Sequence, residues 1–277
     1  MTVQDHQGGL DEQTWAELAQ IAARYPEARS GLLPMLHLVQ SAQGRVTAEG
    51  IEACAQVLGI STAEVSGVAT FYTMYKRRPV GDYHVGVCTN TLCAIMGGDE
   101  IFERLQDHLD VGNDETTEAG PGERSITLEH VECNAACDYA PVVMVNWEFM
   151  DDQTPESAVR LVDELRSGAE VRSTRGPRIC SFRQAERVLA GFDDGRSDEG
   201  PSAGFPSLLG LQMALRQGWE PPPADAGRAA DRQDEGELRS EAAQATQDAG
   251  EEGAAATAAS PADATHEDAP GSGDEAQ

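Results

Sequence analysis

Apolar residues recur every three to four positions through the first 80 residues, which is the spacing of amphipathic helices. Ser61 and Glu64 form the capping-box pattern that starts the last of four predicted helices. Residues 1–80 are therefore predicted to form a four-helix bundle. The second helix is predicted from about Ser30 to Ala42. The apolar faces of the others comprise Trp15, Leu18, Ala19, Ala22 and Tyr25 in the first helix, Ile51, Cys54, Ala55 and Leu58 in the third, and Val65, Val68, Ala69 and Tyr72 in the fourth.

After Gly81 the pattern changes to the alternation that is typical of strands. The segment YHVGVC predicts a first strand, and a helix follows from Asp99 to Leu109. SITLEHV and the run from Val142 to Val145 predict two more strands, and a final helix lies between Thr154 and Gly168. This order of strand, helix, strand, strand and helix predicts a small α/β domain over residues 81–168, so the expected fold class is α+β.

Beyond Gly168 the periodicity weakens. Residues 169–219 contain two segments that can form amphipathic helices, and they mix arginines with apolar clusters. We interpret them as an extension that docks on a partner protein, with a solvated linker as the alternative. Residues 220–277 contain 15 acidic and 3 basic residues and no aromatic residue, so they are predicted to be a largely disordered acidic tail.

The overall charge limits the classes of partner. The 277 residues carry a formal net charge of −28, which argues against nucleic acid or an anionic membrane surface as the main partner. The sequence shows neither an apolar run that could insert into a membrane nor a signal-peptide pattern, so a cytoplasmic location is predicted. Because thiols stay reduced in the cytoplasm, we expect the six cysteines to be ligands, reactive groups or core residues rather than disulfides.

Four of these cysteines form two closely spaced pairs, and each pair directly follows a predicted strand. Cys88 and Cys93 have the spacing C-x4-C, and Cys133 and Cys137 have the spacing C-x3-C, with 39 residues between the pairs. Two neighbouring strand ends would bring the pairs together at one edge of a sheet, which predicts a metal centre. The spacings are wider than the C-x2-C of zinc knuckles, so they favour a 2Fe-2S cluster over structural zinc, which stays open as the alternative.

The remaining candidate ligands have simpler interpretations. Cys54 lies on the apolar face of the third predicted helix and is expected to be a core residue. Cys180 has no cysteine or histidine at ligand spacing, so we expect a buried or inert thiol. His130 precedes Cys133 by three positions and permits a zinc site of three cysteines and one histidine, but four cysteines make that histidine unnecessary.

Two other features are three aromatic residues that follow the capping box and a proline that follows the last paired cysteine. Phe71, Tyr72 and Tyr75 are expected to pack in the core or between domains. Pro141 follows the second cysteine pair, and the sequence does not decide between a cis and a trans peptide bond before it.

The segments GVATFYTMYKRRPVGDYHVGVCTNTLC and CNAACDYAPVVMVN make the chain specifically similar to one family over about Leu10 to Gly168. They resemble the E subunits of NADH-quinone oxidoreductases, the respiratory complex I, which are thioredoxin-like 2Fe-2S ferredoxins. The resemblance implies a helical domain followed by a thioredoxin-like domain. It also implies that one 2Fe-2S cluster per chain is bound by the cysteines that match the family's ligands, which are Cys88, Cys93, Cys133 and Cys137.

The resemblance also implies the partners. A neighbouring flavoprotein subunit would bind FMN and NADH, and the iron–sulfur large subunit of the peripheral arm would lie nearby. The complex would hold the chain at the inner face of the cell membrane without membrane insertion. The sequence itself contains no GxGxxG and no P-loop, so no catalytic residue is assigned and the chain is not expected to be catalytic alone.

Related subunits serve NAD-linked hydrogenases and formate dehydrogenases, so a diaphorase subunit of such an enzyme is the alternative assembly. A zinc-stabilised structural adaptor is the alternative from a different class.

Overall fold

The computed structural model describes residues 9–200 and 204–220, and the predicted acidic tail lies outside them apart from Glu220. The chain divides into one unit that ends at Leu209 and another that begins at Gly210. Among the described residues, none of the helices is long and apolar enough to cross a membrane. In chain order the elements are α1 (Glu12–Ala22), α2 (Leu32–Gln43), α3 (Ala48–Leu58), α4 (Thr62–Phe71), β1 (Tyr83–Cys88), α5 (Thr91–Ile95), α6 (Gly98–Leu109), β2 (Glu115–Thr116), β3 (Ile126–Val131), β4 (Val143–Val145), β5 (Glu148–Met150), α7 (Pro155–Ser167), α8 (Phe182–Leu189) and α9 (Phe205–Arg216).

Helices α1 to α4 enclose one hydrophobic core, whose fully buried members include Leu18, Met35 and Val65. The predicted capping box of Ser61 and Glu64 is present at the start of α4. A short 3-10 turn precedes α2, so this helix begins two residues later than expected. Cys54 is completely buried in the core, which confirms the interpretation made from its position.

The second core lies against a five-stranded sheet in the order β2-β3-β1-β4-β5. Strands β1 and β3 are parallel, and β4 and β5 run antiparallel to their neighbours. Helices α6 and α7 pack against each other, and fully buried residues such as Ile101 and Val162 join them to the core of the sheet. The α+β class predicted from the sequence is therefore confirmed. The peptide bond before Pro141 is cis.

Three short elements were not predicted. Helix α5 has five residues, β2 has two exposed residues, and β5 has three residues. Strands β4 and β5 form a hairpin whose turn residues, Asn146 and Trp147, both have positive φ angles of 48° and 74°. Turns with two such residues usually contain glycine, so the hairpin carries no ordinary sequence signal.

The segment after α7 returns to the helical domain within the unit that ends at Leu209. Helix α8 packs along α2, and Ala190 at its end is a fully buried member of the helical core. Arg187 forms two hydrogen bonds of 2.9 and 2.7 Å with the carboxylate of Glu17 on α1. Part of the extension that was predicted to dock on a partner therefore contacts its own chain.

A buried polar network lies between α2, α8 and the β4–β5 hairpin. The carboxylate of Glu186 is completely buried and accepts hydrogen bonds from Gln40 Nε2 at 2.8 Å and Trp147 Nε1 at 3.0 Å. His37 Nδ1 lies 2.6 Å from the same carboxylate. These contacts join the helical core to the sheet through one side chain of α8.

Of the three aromatic residues at and after the end of α4, one is buried as expected and two are exposed. Tyr75 is buried and donates a hydrogen bond to the carbonyl of Leu33, as expected of a core residue. Phe71 is 77% exposed and Tyr72 is 45% exposed, so neither side chain is buried in the core or between domains as the sequence predicted. The α4 helix ends at Phe71, and the apolar stripe of the helix does not extend past this end.

Candidate metal centre

The first cysteine pair lies where β1 ends. Cys88 is the last residue of β1, and its backbone N–H donates to the carbonyl of Val142 at 3.1 Å. Cys93 lies in α5, and both cysteines are buried, at 2% and 3% exposure. The close return of α6 beneath this loop depends on Gly98, because a Cβ atom there would lie 2.5 Å from the carbonyl oxygen of Cys88.

The second pair lies just past the end of β3. Cys133 and Cys137 are exposed, and their Sγ atoms are 3.5 Å apart. The backbone N–H of Ala135 points at the Sγ atom of Cys133 from 3.4 Å, and this alanine has a φ of 55°. The loop therefore turns back over its own first sulfur atom.

Strand register aligns the two loops. Cys88 pairs with Val131 in the parallel ladder, so β1 and β3 end at the same edge of the sheet. Asn90 Nδ2 in the first loop donates to Glu132 Oε2 in the second at 2.7 Å. The arrangement follows from a crossover between parallel strands, which places both carboxyl ends at one edge.

Electrostatic interactions also link the four thiols. Burial raises the pKa of Cys93 to about 11, and the neighbouring groups of Cys88 and Cys137 act in the same direction. The pKa of Cys137 is raised chiefly by its hydrogen bond with Cys133. These neighbouring thiols would have to lose their protons together to bind a metal, and a bound cation would favour that loss.

The site consists of two cysteine pairs rather than one closed cage. In the described part of the chain, no group of three or more histidine, cysteine, aspartate or glutamate side chains is arranged to hold a metal ion. The loop of the second pair also contains a buried donor without a partner, because Asn134 Nδ2 has no hydrogen bond to any described protein atom. Buried donors of this kind normally have an acceptor.

The other candidate ligands, His130 and Cys180, contact groups outside the two cysteine pairs. His130 is exposed and packs at the edge of the Phe102 ring, with 5.9 Å between the ring centroids. Cys180 is partly buried between Arg196 and the start of α8, and burial raises its pKa.

Sequence reasoning missed a cluster of three titratable residues that are buried or half-buried. His84 on β1 and Glu129 on β3 each lie four residues before a cysteine pair, and Lys76 lies in the segment between α4 and β1. Lys76 forms an ion pair with Glu129, and His84 Nε2 lies 2.6 Å from the same carboxylate. Burial acts to raise the pKa of Glu129, but the hydrogen bond of His84 and the charge of Lys76 outweigh it and lower the pKa to about 2. Lys76 is the single lysine of the chain, but its position in the sequence does not indicate which residues it contacts.

Apolar side chains surround the first loop at the surface. Leu92, Ile95 and Met96 are 42%, 79% and 54% exposed. They belong to α5 or directly follow it, so they lie next to Cys93 in the chain. The fold and the two cysteine pairs define a thioredoxin-like protein with a cysteine-rich site at one edge of its sheet.

Comparison with known proteins identifies the family. The family model described as thioredoxin-like 2Fe-2S ferredoxin matches residues 18–166. A Mycobacterium tuberculosis protein, named as the E subunit of NADH-quinone oxidoreductase, is 60% identical over 205 residues, which cover 74% of this chain and 80% of that protein. The chain belongs to the thioredoxin-like 2Fe-2S ferredoxin family, which confirms the resemblance seen in its sequence. Membership supports a 2Fe-2S cluster as the cofactor.

A more distant relative shows the same similarity at lower identity. A Rhizobium meliloti protein, named as E subunit number 2 of NADH-quinone oxidoreductase, is 32% identical over 157 residues, which cover 57% of this chain and 91% of that protein. Among solved structures, an NAD+-reducing NiFe-hydrogenase in the air-oxidized state aligns with a TM-score of 0.42 and 17% identity, over 49% of this chain and 22% of that chain.

Proposed function

We propose that this chain is the electron-transfer subunit of an NADH-quinone oxidoreductase and binds one 2Fe-2S cluster through Cys88, Cys93, Cys133 and Cys137. The observation that carries the proposal is the alignment of two cysteine pairs at the ends of adjacent parallel strands. The names of the relatives support the enzyme, since the Mycobacterium tuberculosis protein is 60% identical.

The residues present fit a two-iron cluster. Four cysteine thiolates are the usual protein ligands of such a cluster, and Cys88, Cys93, Cys133 and Cys137 would supply them. The backbone N–H of Ala135 and the unpartnered amide of Asn134 are donors within the same loop, and donors near the sulfur atoms are typical of these sites. When bound, the cluster supplies one-electron redox chemistry, and we propose that FMN on the NADH-binding subunit is its exchange partner.

This chain's own residues would place the site where a partner can reach it. Cys133 and Cys137 are exposed, whereas Cys88 and Cys93 are buried against the sheet. The buried pair would shield one side from water, and the exposed pair would face the neighbouring subunit. The exposed apolar side chains around α5 form a rim that a flavoprotein surface could cover.

Only part of the extension formed by residues 169–219 is proposed to dock on a partner. Because α8 packs on α2, we propose that partner contacts come from residues beyond it, where Phe205 is 62% exposed. Removal of residues 201–277 keeps α8 in place and tests docking, whereas removal of everything after Gly168 would also remove part of the helical core. Undiminished co-purification with the flavoprotein after the shorter deletion would count against docking.

The ligand assignment is tested with single serine variants of the full chain, produced with its partner subunits. Cys88→Ser and Cys137→Ser are expected to lose or strongly alter the cluster, measured as iron and acid-labile sulfide per chain. Cys54→Ser and Cys180→Ser are the matched controls and are expected to retain it. A normal cluster in Cys137→Ser would show that the assignment is wrong.

The role in the enzyme is tested by reduction with NADH. The cluster signal is expected to appear in the EPR spectrum when the flavoprotein subunit is present and to be absent with this chain alone. The identity of the co-purified subunits separates a quinone oxidoreductase from a hydrogenase or formate dehydrogenase. Reduction of the cluster by NADH without any partner subunit would contradict the proposal that the flavoprotein subunit oxidises NADH.

A further inference from the structure

The loop between Cys133 and Cys137 holds a polar side chain whose donor is hidden from solvent. Asn134 Nδ2 is buried and has no hydrogen-bond partner among the described protein atoms. The residue as a whole is only partly buried, so the amide could have faced water but its nitrogen points inward. A buried amide nitrogen without an acceptor costs free energy, so the position calls for an acceptor that the protein chain does not provide.

The loop already directs one donor at a cysteine sulfur. The backbone N–H of Ala135 lies 3.4 Å from the Sγ atom of Cys133, and the second sulfur atom of the pair is 3.5 Å from the first. Asn134 lies between the first cysteine and this donor in the chain. A cysteine sulfur is therefore the acceptor that the loop brings close to this backbone donor, whereas Asn134 Nδ2 bonds to neither cysteine of its own loop.

The other asparagine near the site has a partner. Asn90 Nδ2 in the first loop donates to Glu132 at 2.7 Å, so this amide nitrogen has an acceptor within the protein. Two asparagines thus belong to the two cysteine loops, and only one of them lacks an acceptor for its nitrogen.

We propose that the side-chain amide of Asn134 donates a hydrogen bond to a sulfur atom of the 2Fe-2S cluster and raises its reduction potential. This inference rests on the proposed function, since it requires the cluster to be bound by the two cysteine pairs. The physical reason is charge: a cluster gains negative charge on reduction, and a donor to its sulfur atoms stabilises the reduced state more than the oxidised state. Asn134 is thereby a positioning and tuning residue and not a ligand.

The experiment compares Asn134→Ala with Asn90→Ala in the full chain, each purified anaerobically with its partner subunits. The midpoint potential is measured by an EPR-monitored redox titration. We expect the Asn134 variant to lose about tenfold in affinity for the electron, a downward shift of about 59 mV for a one-electron couple, while Asn90→Ala changes little. An unchanged potential in Asn134→Ala, or equal shifts in both variants, would overturn the proposal.

A second measurement uses the unmodified chain, in case the alanine variant does not assemble a cluster. Protein whose asparagine side-chain amides carry ¹⁵N is reduced, and the coupling of the ¹⁵N nucleus to the cluster is recorded by pulsed EPR. A coupling that persists in Asn90→Ala supports the proposal, and its absence overturns it. Failure of the proposed function would look different, because the chain would then contain no iron and no acid-labile sulfide.

Discussion

Phe182 is the side chain whose truncation most directly tests the packing of α8. It is completely buried at the start of that helix, and its backbone N–H donates to the carbonyl of Asp82 at 2.8 Å. Its ring lies 6.5 Å from the ring of His84 on β1, measured between centroids. Phe182→Ala therefore removes an aromatic group from the junction between the extension and the sheet.

The expected cost follows from the burial. An aromatic side chain buries about 150–250 Å², which at about 25 cal/mol per Å² is worth about 4–6 kcal/mol. Alanine keeps a small part of that burial, and the site collapses only in part, so the free energy of unfolding should fall by about 3–5 kcal/mol. For a domain of this size that corresponds to a decrease in Tm of about 6–20 °C.

The assay is thermal and urea unfolding of the full chain, followed by circular dichroism. Phe205→Ala is the matched control, because the same substitution at a side chain that is 62% exposed should change the stability by less than about 0.5 kcal/mol. A loss below about 1 kcal/mol in Phe182→Ala would refute the conclusion that α8 is an integral part of the folded unit.

Two further substitutions test the local structure. Gly98→Ala is expected to reduce the iron content sharply, because its Cβ would lie 2.5 and 2.9 Å from the carbonyl oxygens of Cys88 and Cys93. Gly67→Ala is the control and should leave the iron content unchanged, because a Cβ there has nothing within 4 Å. Equal iron content in the two variants would contradict this reasoning. Trp147→Phe keeps a ring but removes one donor to the buried carboxylate of Glu186, so the free energy of unfolding should fall by about 1.5–3 kcal/mol in urea melts. The same change at Trp219, which is 60% exposed, should have little effect, and equal losses would refute the reasoning.

Elements with strong local signals were predictable from the sequence. Thr154, Pro155 and Gly168 predict the limits of α7, and the structure places that helix at Pro155–Ser167 with a full capping box and a left-handed glycine after it. Alternation from Tyr83 to Val87 predicts β1, which ends at Cys88. These features depend on neighbouring residues alone, so one sequence is sufficient to recognise them.

Other elements depend on contacts between distant residues. The amphipathic pattern of α8 was visible, but the pattern does not say which core the helix joins. Its position on α2 is determined by long-range contacts such as that of Glu186 with Gln40, which are 146 residues apart. Strand β5 was missed because three residues are too few for a pattern and its turn uses Asn146 and Trp147 in place of glycine.

The candidate site also combines features that the local sequence predicts with features that depend on how the chain folds. The spacing of the cysteines predicted two pairs after two strands, and the structure places them at the ends of β1 and β3. The unpartnered amide of Asn134 could not be predicted, because burial of one nitrogen atom depends on how the loop folds over itself. For the same reason the convergence of Lys76, His84 and Glu129 was not apparent from three isolated polar positions.

The most direct test of the central claim is the iron and acid-labile sulfide content of anaerobically purified protein, with EPR spectra before and after dithionite. The proposed function predicts about two irons and two sulfides per chain and a signal that appears only on reduction. Stoichiometric zinc without sulfide, persisting after attempted cluster reconstitution, would contradict it and would mean that the four cysteines form a structural site.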